Sequence, residues 1–416
     1  MSETPPLVTN DAVTLGMLAV ILGLVFYTEN SRHPFWRGFY RYVPALLLCY
    51  FLPSLLNSFG IVDGDASRLY FVASRYLLPT CLVLLTLSVD FAAIARLGYK
   101  AIAMFLTGTV GIVIGGPIAL FVVGTIDPGI VGGQGPQAVW RGMTTLAGSW
   151  IGGGANQTAM KEVFQVSDAL FSQMVAVDVL CASVWMAVLL FLAGCAGEID
   201  RRTGADISAI ENLKERVARF HAEHSRVTTL PDLVFIIAVG FGATGLAHAC
   251  AGFIVPWIED HAPGLSRLSL TSNFFWIVVI ATTTGLVLSF TTVRRLEGAG
   301  ASRVGAAMLY ILVAAIGLRM DVGAVLRNPG LFAVGFLWLG IHAALLFVVA
   351  RMLNAPVFYL AVGSQANVGG AASAPVVASA FHPTLAPVGV LLAVLGYSLG
   401  TYAAWICGVM MSAVAP

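Results

Sequence analysis

Two stretches of this sequence gather neutral oxygen donors around clustered glycines. The first reads Gly148-Ser149-Trp150-Ile151-Gly152-Gly153-Gly154-Ala155-Asn156-Gln157-Thr158. The second reads Gly363-Ser364-Gln365-Ala366-Asn367-Val368-Gly369-Gly370-Ala371-Ala372-Ser373. A helix does not run smoothly through such glycines, so the backbone is expected to unwind, freeing carbonyls and leaving helix ends inside. Freed carbonyls and the negative ends of helices suit a cation, whereas the positive ends suit an anionic group. Ser149, Asn156, Gln157, Thr158, Ser364, Gln365, Asn367 and Ser373 add neutral oxygens of the kind that replace the water shell of sodium. Asp178 lies in an apolar run, Met174-Val175-Ala176-Val177-Asp178. A carboxylate at that depth either ligates sodium, exchanges a proton, or is a hydrogen-bonded packing residue. The last apolar run carries Tyr397, Ser398 and Thr401 instead of an acid. For a sodium ion the expected ligands are Asn156, Asp178, Gln365 and Asn367. The alternative is that the glycines only let helices pack closely.

The elements that must hold these residues follow from composition. Of 416 residues, 58% are hydrophobic and 10% charged, with a net charge of +1 and a mean hydropathy of +0.88. A soluble domain is about 25% charged, so the chain reads as an all-α polytopic membrane protein. A nucleic-acid partner is excluded for want of basic excess. Apolar runs of spanning length occur near 10–27, 42–62, 69–89, 101–125, 169–194, 231–255, 272–290, 304–319, 330–352 and 385–411. That makes about ten transmembrane helices plus two glycine-broken segments, re-entrant or discontinuous. The N-terminal residues lack the basic region of a cleaved signal, so the first run is expected to stay as a helix. If the N-terminus is outside, the ten runs cross once and the broken segments dip and return, every basic loop falls inside.

Five crossings per half is odd, so the second half would be inverted relative to the first. Leu87-Ser-Val-Asp90-Phe-Ala-Ala93-Ile-Ala-Arg96 also matches Leu318-Arg-Met-Asp321-Val-Gly-Ala324-Val-Leu-Arg327 at Leu, Asp, Ala and Arg. The expected organisation is a first membrane repeat at 1–194, a cytoplasmic amphipathic linker at 195–229 and a second, inverted repeat at 230–416. In the linker, Ile207, Ile210, Leu213, Val217 and Phe220 recur at helical spacing. Asp90 and Asp321 read as caps or as partners of Arg96 and Arg327. Lys161 and Glu162 either snorkel at the mouth of the first broken segment or offer Lys161 to an anion. Arg75 and Arg319 read as interface anchors, His248 and His342 as packed imidazoles, and Thr282 to Thr284 as bonded back to their own helix. The six cysteines form no CxxC pair. No catalytic, Walker or paired metal-ligand motif occurs, so neither an enzyme nor ATP-driven transport is expected.

Ser149-Trp-Ile-Gly-Gly-Gly-Ala-Asn156, Val177-Asp178, Ala366-Asn367-Val-Gly-Gly370 and Gly396-Tyr-Ser-Leu-Gly-Thr-Tyr402 resemble the signature stretches of the bacterial membrane family described as domain of unknown function 819. The resemblance covers nearly the whole chain. It implies the cation/proton antiporter and anion transporter superfamily, with relatives among bile-acid, glutamate and citrate sodium symporters. It further implies two inverted repeats, a mobile transport domain against a scaffold domain, and a homodimer. The expected function is a secondary transporter of the bacterial inner membrane, coupling sodium, or alternatively a proton, to a small organic anion, with no other cofactor. The lipid bilayer and that anion are the expected partners. The alternatives are a sodium/proton antiporter and a membrane scaffold or sensor with a transporter fold.

Overall fold

The computed structural model describes residues 6–40, 43, 45–64, 66–205, 228–262, 264–265, 270–319, 328–382 and 385–416. The linker helix expected at Ile207 to Phe220, and the matched residues Asp321, Ala324 and Arg327, lie outside these. The described chain is helical, with one isolated bridge between Val8 and Val62. Its principal helices are α1 (Asp11–Glu29), α2 (Ala45–Ser58), α3 (Leu69–Leu87), α4 (Tyr99–Ile126), α5 (Val139–Val163), α6 (Asp168–Gly194), α7 (Leu230–His261), α8 (Asn273–Ser289), α9 (Ala301–Gly317), α10 (Gly330–Met352), α11 (Val357–Val368), α12 (Gly370–Phe381) and α13 (Ala386–Val414).

Seven of these (α1, α3, α4, α6, α7, α10 and α13) are long and apolar enough to cross a membrane. An eighth, α8, qualifies when joined to the short helix Thr292–Ala299, from which it is bent by 95°. The two remaining apolar runs form the shorter helices α2 and α9. The chain is therefore an all-α multi-pass membrane protein. Outer helices show lipid-like exposure: α1 and α7 leave Val20, Leu24, Phe235 and Phe253 uncovered. The core instead gathers α4, α5, α6, α11 and α13, where even Asn, Gln and Thr side chains are buried.

Local chemistry explains one irregularity. Pro79 has no N–H to offer the Arg75 carbonyl four residues earlier. The helix widens there into a π-turn over Ala73–Leu77, and the Arg75 carbonyl is met by His248 Nε2 of α7 at 2.9 Å.

The two glycine-broken segments fold back on themselves. Run straight, the 25 residues of α5 would separate their ends by about 37 Å. Arg141 Nη1 instead donates to the Phe164 carbonyl at 2.7 Å, and Ser167 N to the Pro136 carbonyl at 3.0 Å. The turn is at Gly153, with φ 73° and ψ −174°, a conformation open in practice to glycine alone. α11 and α12 form the second hairpin. The rings of Phe358 and Phe381, near its two open ends, lie 5.3 Å apart, and the turn passes through Gly370 at φ 59°.

Candidate ion and substrate site at the hairpin tips

Both hairpins bring their tips to α13. A methyl group at Gly396 would stand 2.5 Å from the Ile151 carbonyl oxygen of the first hairpin and 3.7 Å from that of Ala366 in the second. The broken backbones thus flank one glycine of α13, deep within the bundle.

Asp178 of α6 clamps the first hairpin. Its carboxylate accepts from Ser149 Oγ at 2.6 Å, Trp150 Nε1 at 2.8 Å and Gln157 Nε2 at 3.0 Å. Two of these donors precede the Gly153 turn and one follows it, so a single carboxylate holds both arms. All three donors are neutral, and among the described residues no Lys, Arg or His nitrogen pairs with Asp178. Three charge-assisted bonds satisfy much of the anion's hydration without neutralising it.

Asn156 and Asn367 are used in a common way. Asn156 Nδ2 donates to the Gly152 carbonyl at 2.9 Å and the Tyr397 carbonyl at 3.4 Å, and its Oδ1 accepts from Thr401 Oγ1 at 2.6 Å. Asn367 Nδ2 donates to the carbonyls of Gly363 at 3.0 Å and Phe105 at 2.9 Å, and its Oδ1 accepts from Thr109 Oγ1 at 2.8 Å. In each case the amide bonds the carbonyl four residues back, then a carbonyl and a threonine one turn apart on a neighbouring helix. Asn156 latches the first tip to α13, and Asn367 latches the second to α4. Their side-chain oxygens are taken by threonines in this conformation.

The remaining candidates divide. Ser364 accepts from Trp185 Nε1 at 2.8 Å and lies 2.8 Å from His342 Nε2, while His342 Nδ1 meets the Gly108 carbonyl at 3.0 Å. A carbonyl only accepts, so Nδ1 carries a proton there. Thr158 bonds back to Gly154. Gln365 Nε2 donates to Ser373 Oγ at 2.6 Å across the second hairpin, but its Oε1 is buried with no partner. Among the described residues no group of three His, Cys, Asp or Glu gathers, so a cation here would rest on the Asp178 carboxylate and on neutral oxygens such as Gln365 Oε1. The fit to sodium, which accepts neutral and carboxylate oxygens, rests on that unpartnered Oε1.

Several participants carry no obvious sequence signal: Thr109, Trp150, Trp185, and Tyr50 of α2, whose buried hydroxyl lies beside Thr158. Thr282 does not simply bond back to its own helix but meets Thr401 at 3.2 Å. Thr283 does bond back, to the Val279 carbonyl. Asp90 caps a short helix through Ala93 N and pairs with Arg294. Lys161 does not snorkel: it is 3% exposed and pairs with Asp168.

Fold and site together define a multi-pass membrane protein with two helical hairpins meeting at a buried polar centre. The chain belongs to the family described as "Protein of unknown function (DUF819)", whose model matches residues 16–414. It is similar to the "Uncharacterized membrane protein YjcL" of Bacillus subtilis (strain 168), at 21% identity over 361 residues, 84% of this chain and 85% of that protein.

Proposed function

We propose that this chain is a secondary transporter of the bacterial cytoplasmic membrane, working by alternating access as a homodimer, and that it couples sodium to the symport of a small organic anion. The observation that carries the reading is the meeting of two broken hairpin tips at Gly396, beside a buried carboxylate bonded, among the described residues, only to neutral groups. Paired breaks in the two halves of a membrane protein are the common build of such sites. Asp178 would supply the fixed negative charge and Gln365 Oε1 a neutral ligand. Asn156 and Asn367 would hold the tips in register. Helix ends exposed at the breaks would receive the anion.

The moving body in this reading contains more than the hairpins and the helices after them. Asn367 bonds α4, and His342 of α10 bonds both Ser364 and the Gly108 carbonyl. So α4, α5, α6 and α10 to α13 would travel together against α1 to α3 and α7 to α9. Coupling requires each ligand to favour binding of the other.

Thermal unfolding of the detergent-purified protein in sodium against potassium, at several pH values, tests this. A ligand at a hundredfold over its Kd adds about 2.7 kcal/mol of apparent stability. A sodium-specific rise, lost in Asp178→Asn and Gln365→Leu, is the expected result. Stability that follows pH and ignores sodium would favour the sodium-independent, proton-coupled alternative. Indifference to both would remove ion coupling altogether.

A further inference from the structure

A cleft of about 830 Å³ opens beside the mouth of the first hairpin. It lies between α3 on one side and the ends of α5 and α6 on the other, with the start of α8 as a third wall. Its volume falls in the range of small-molecule sites. None of the tip residues lines it.

The charges in this cleft are unevenly used. Glu162 Oε1 accepts from the Tyr70 hydroxyl, and Oε2 pairs with Arg75 Nη2 at 3.2 Å. Asp168 Oδ1 pairs with Lys161 at 2.6 Å, and Oδ2 with Arg319 at 2.9 Å. Lys161 also donates to the Tyr70 hydroxyl at 2.7 Å. All four carboxylate oxygens therefore already accept. The donors are not exhausted. A guanidinium carries five N–H groups in a planar fork, and Arg75 meets Glu162 through one nitrogen. Its flat face lies 4.5 Å from the centre of the Phe274 ring, and its side chain is 31% exposed. A cleft whose two carboxylates are each engaged at both oxygens, facing three cationic side chains, favours an acceptor-rich, anionic ligand.

Two further features favour a ligand here. Arg75 sits on the π-turn forced by Pro79, and such turns occur often at functional sites. The turn is pinned by His248, which fixes where the guanidinium projects. Phe71, Tyr76 and Phe274 also line the cleft and offer apolar walls to the body of a ligand.

We infer that this cleft binds a small organic carboxylate with an apolar body, anchored by the fork of Arg75. The carboxylate lies in the guanidinium plane and accepts two parallel N–H bonds, while the apolar body packs on the aromatic walls. Lys161 acts behind it as a positioning residue: buried against Asp168 and Tyr70, it keeps Glu162 and Asp168 occupied and the fork turned outward. The site is separate from the hairpin tips and stands without sodium coupling.

Benzoate is the probe, and benzamide, of the same shape without charge, is its control. Thermal stability of the whole purified chain is titrated with each in potassium buffer at constant ionic strength, so that the outcome is independent of sodium. Benzoate should raise the melting temperature saturably and benzamide should not. Arg75→Lys, which keeps the charge and loses the fork, should raise the half-saturating benzoate concentration about tenfold, a loss in the range of one charged hydrogen bond. Arg75→Gln should abolish the response. Equal effects of benzoate and benzamide, an equal effect of chloride, or an unchanged benzoate titration in Arg75→Lys would overturn the assignment. If Arg75→Gln does not fold, the Arg75→Lys titration alone decides.

Discussion

The two hairpins share a backbone solution and differ in charge. Each turns at a positive-φ glycine, and each is latched by an asparagine that bonds a carbonyl and a threonine of a neighbouring helix. The latches sit on opposite sides of the turn: Asn156 follows Gly153, whereas Asn367 precedes Gly370. The first hairpin is surrounded by ionised groups, with Asp178 at its tip and Lys161, Glu162, Arg75 and Asp168 at its mouth. The second is held by neutral partners at its tip, and at its mouth by Asp200 of the short helix Ala196–Thr203, whose Oδ1 accepts from Val357 N at 2.9 Å. A membrane core tolerates unwound backbone wherever its polar groups find partners. Among the described residues, only the first hairpin has a carboxylate at its tip, Asp178, whose charge a bound cation could offset. Ion binding and architecture are therefore separable by mutation.

The largest effect should come from the turns. Gly153→Ala forces a side chain into φ 73° and ψ −174° and should cost about 3 kcal/mol. Gly370→Ala, at φ 59° with open space around the added methyl, should cost about 1 kcal/mol. Thermal unfolding of both variants measures the gap, and equal losses would mean that the two turns are under the same strain.

The latches should differ less. Asn156→Ala and Asn367→Ala each strand buried partners and should each cost about 2 kcal/mol. A large inequality in melting temperature would show that only one asparagine is a latch.

The smallest effect lies at the second mouth. Burial pushes the Asp200 carboxyl above the usual range, partly offset by the bond from Val357 N. Such a carboxyl holds its proton more tightly folded than unfolded. Its contribution is full below the unfolded pKa and is lost as pH rises through the raised folded value. Asp200→Asn keeps an acceptor for Val357 and removes the titration. The variant should therefore gain stability relative to the wild type as pH rises above the ordinary carboxyl range, from about pH 4 upward. Parallel melting curves across that range would show that Asp200 is not titrating in the folded state.

Much of the centre was legible because its signals are local. Consecutive glycines mark breaks wherever they stand, and Asp178 is conspicuous because a carboxylate is costly among apolar neighbours. The partners were not legible. Thr401 lies 245 positions from Asn156, and Thr109 lies 258 from Asn367; no local pattern relates them. Trp150 and Trp185 read as ordinary apolar residues, yet each gives its single N–H to the centre. Pro79 was a readable cue, since a missing N–H inside a helix must leave a carbonyl seeking a partner.

The sequence alone determined that this is a membrane protein of many helices with two broken segments, because hydrophobicity, charge scarcity and glycine's backbone freedom act through nearest neighbours. Only the tertiary structure decided that both segments fold back on themselves, that the asparagines bind threonines, and that Asp178 spans a turn. Those outcomes depend on which helices pack side by side, and in a bundle of apolar helices that choice is made by the few polar groups that find partners when the whole is assembled.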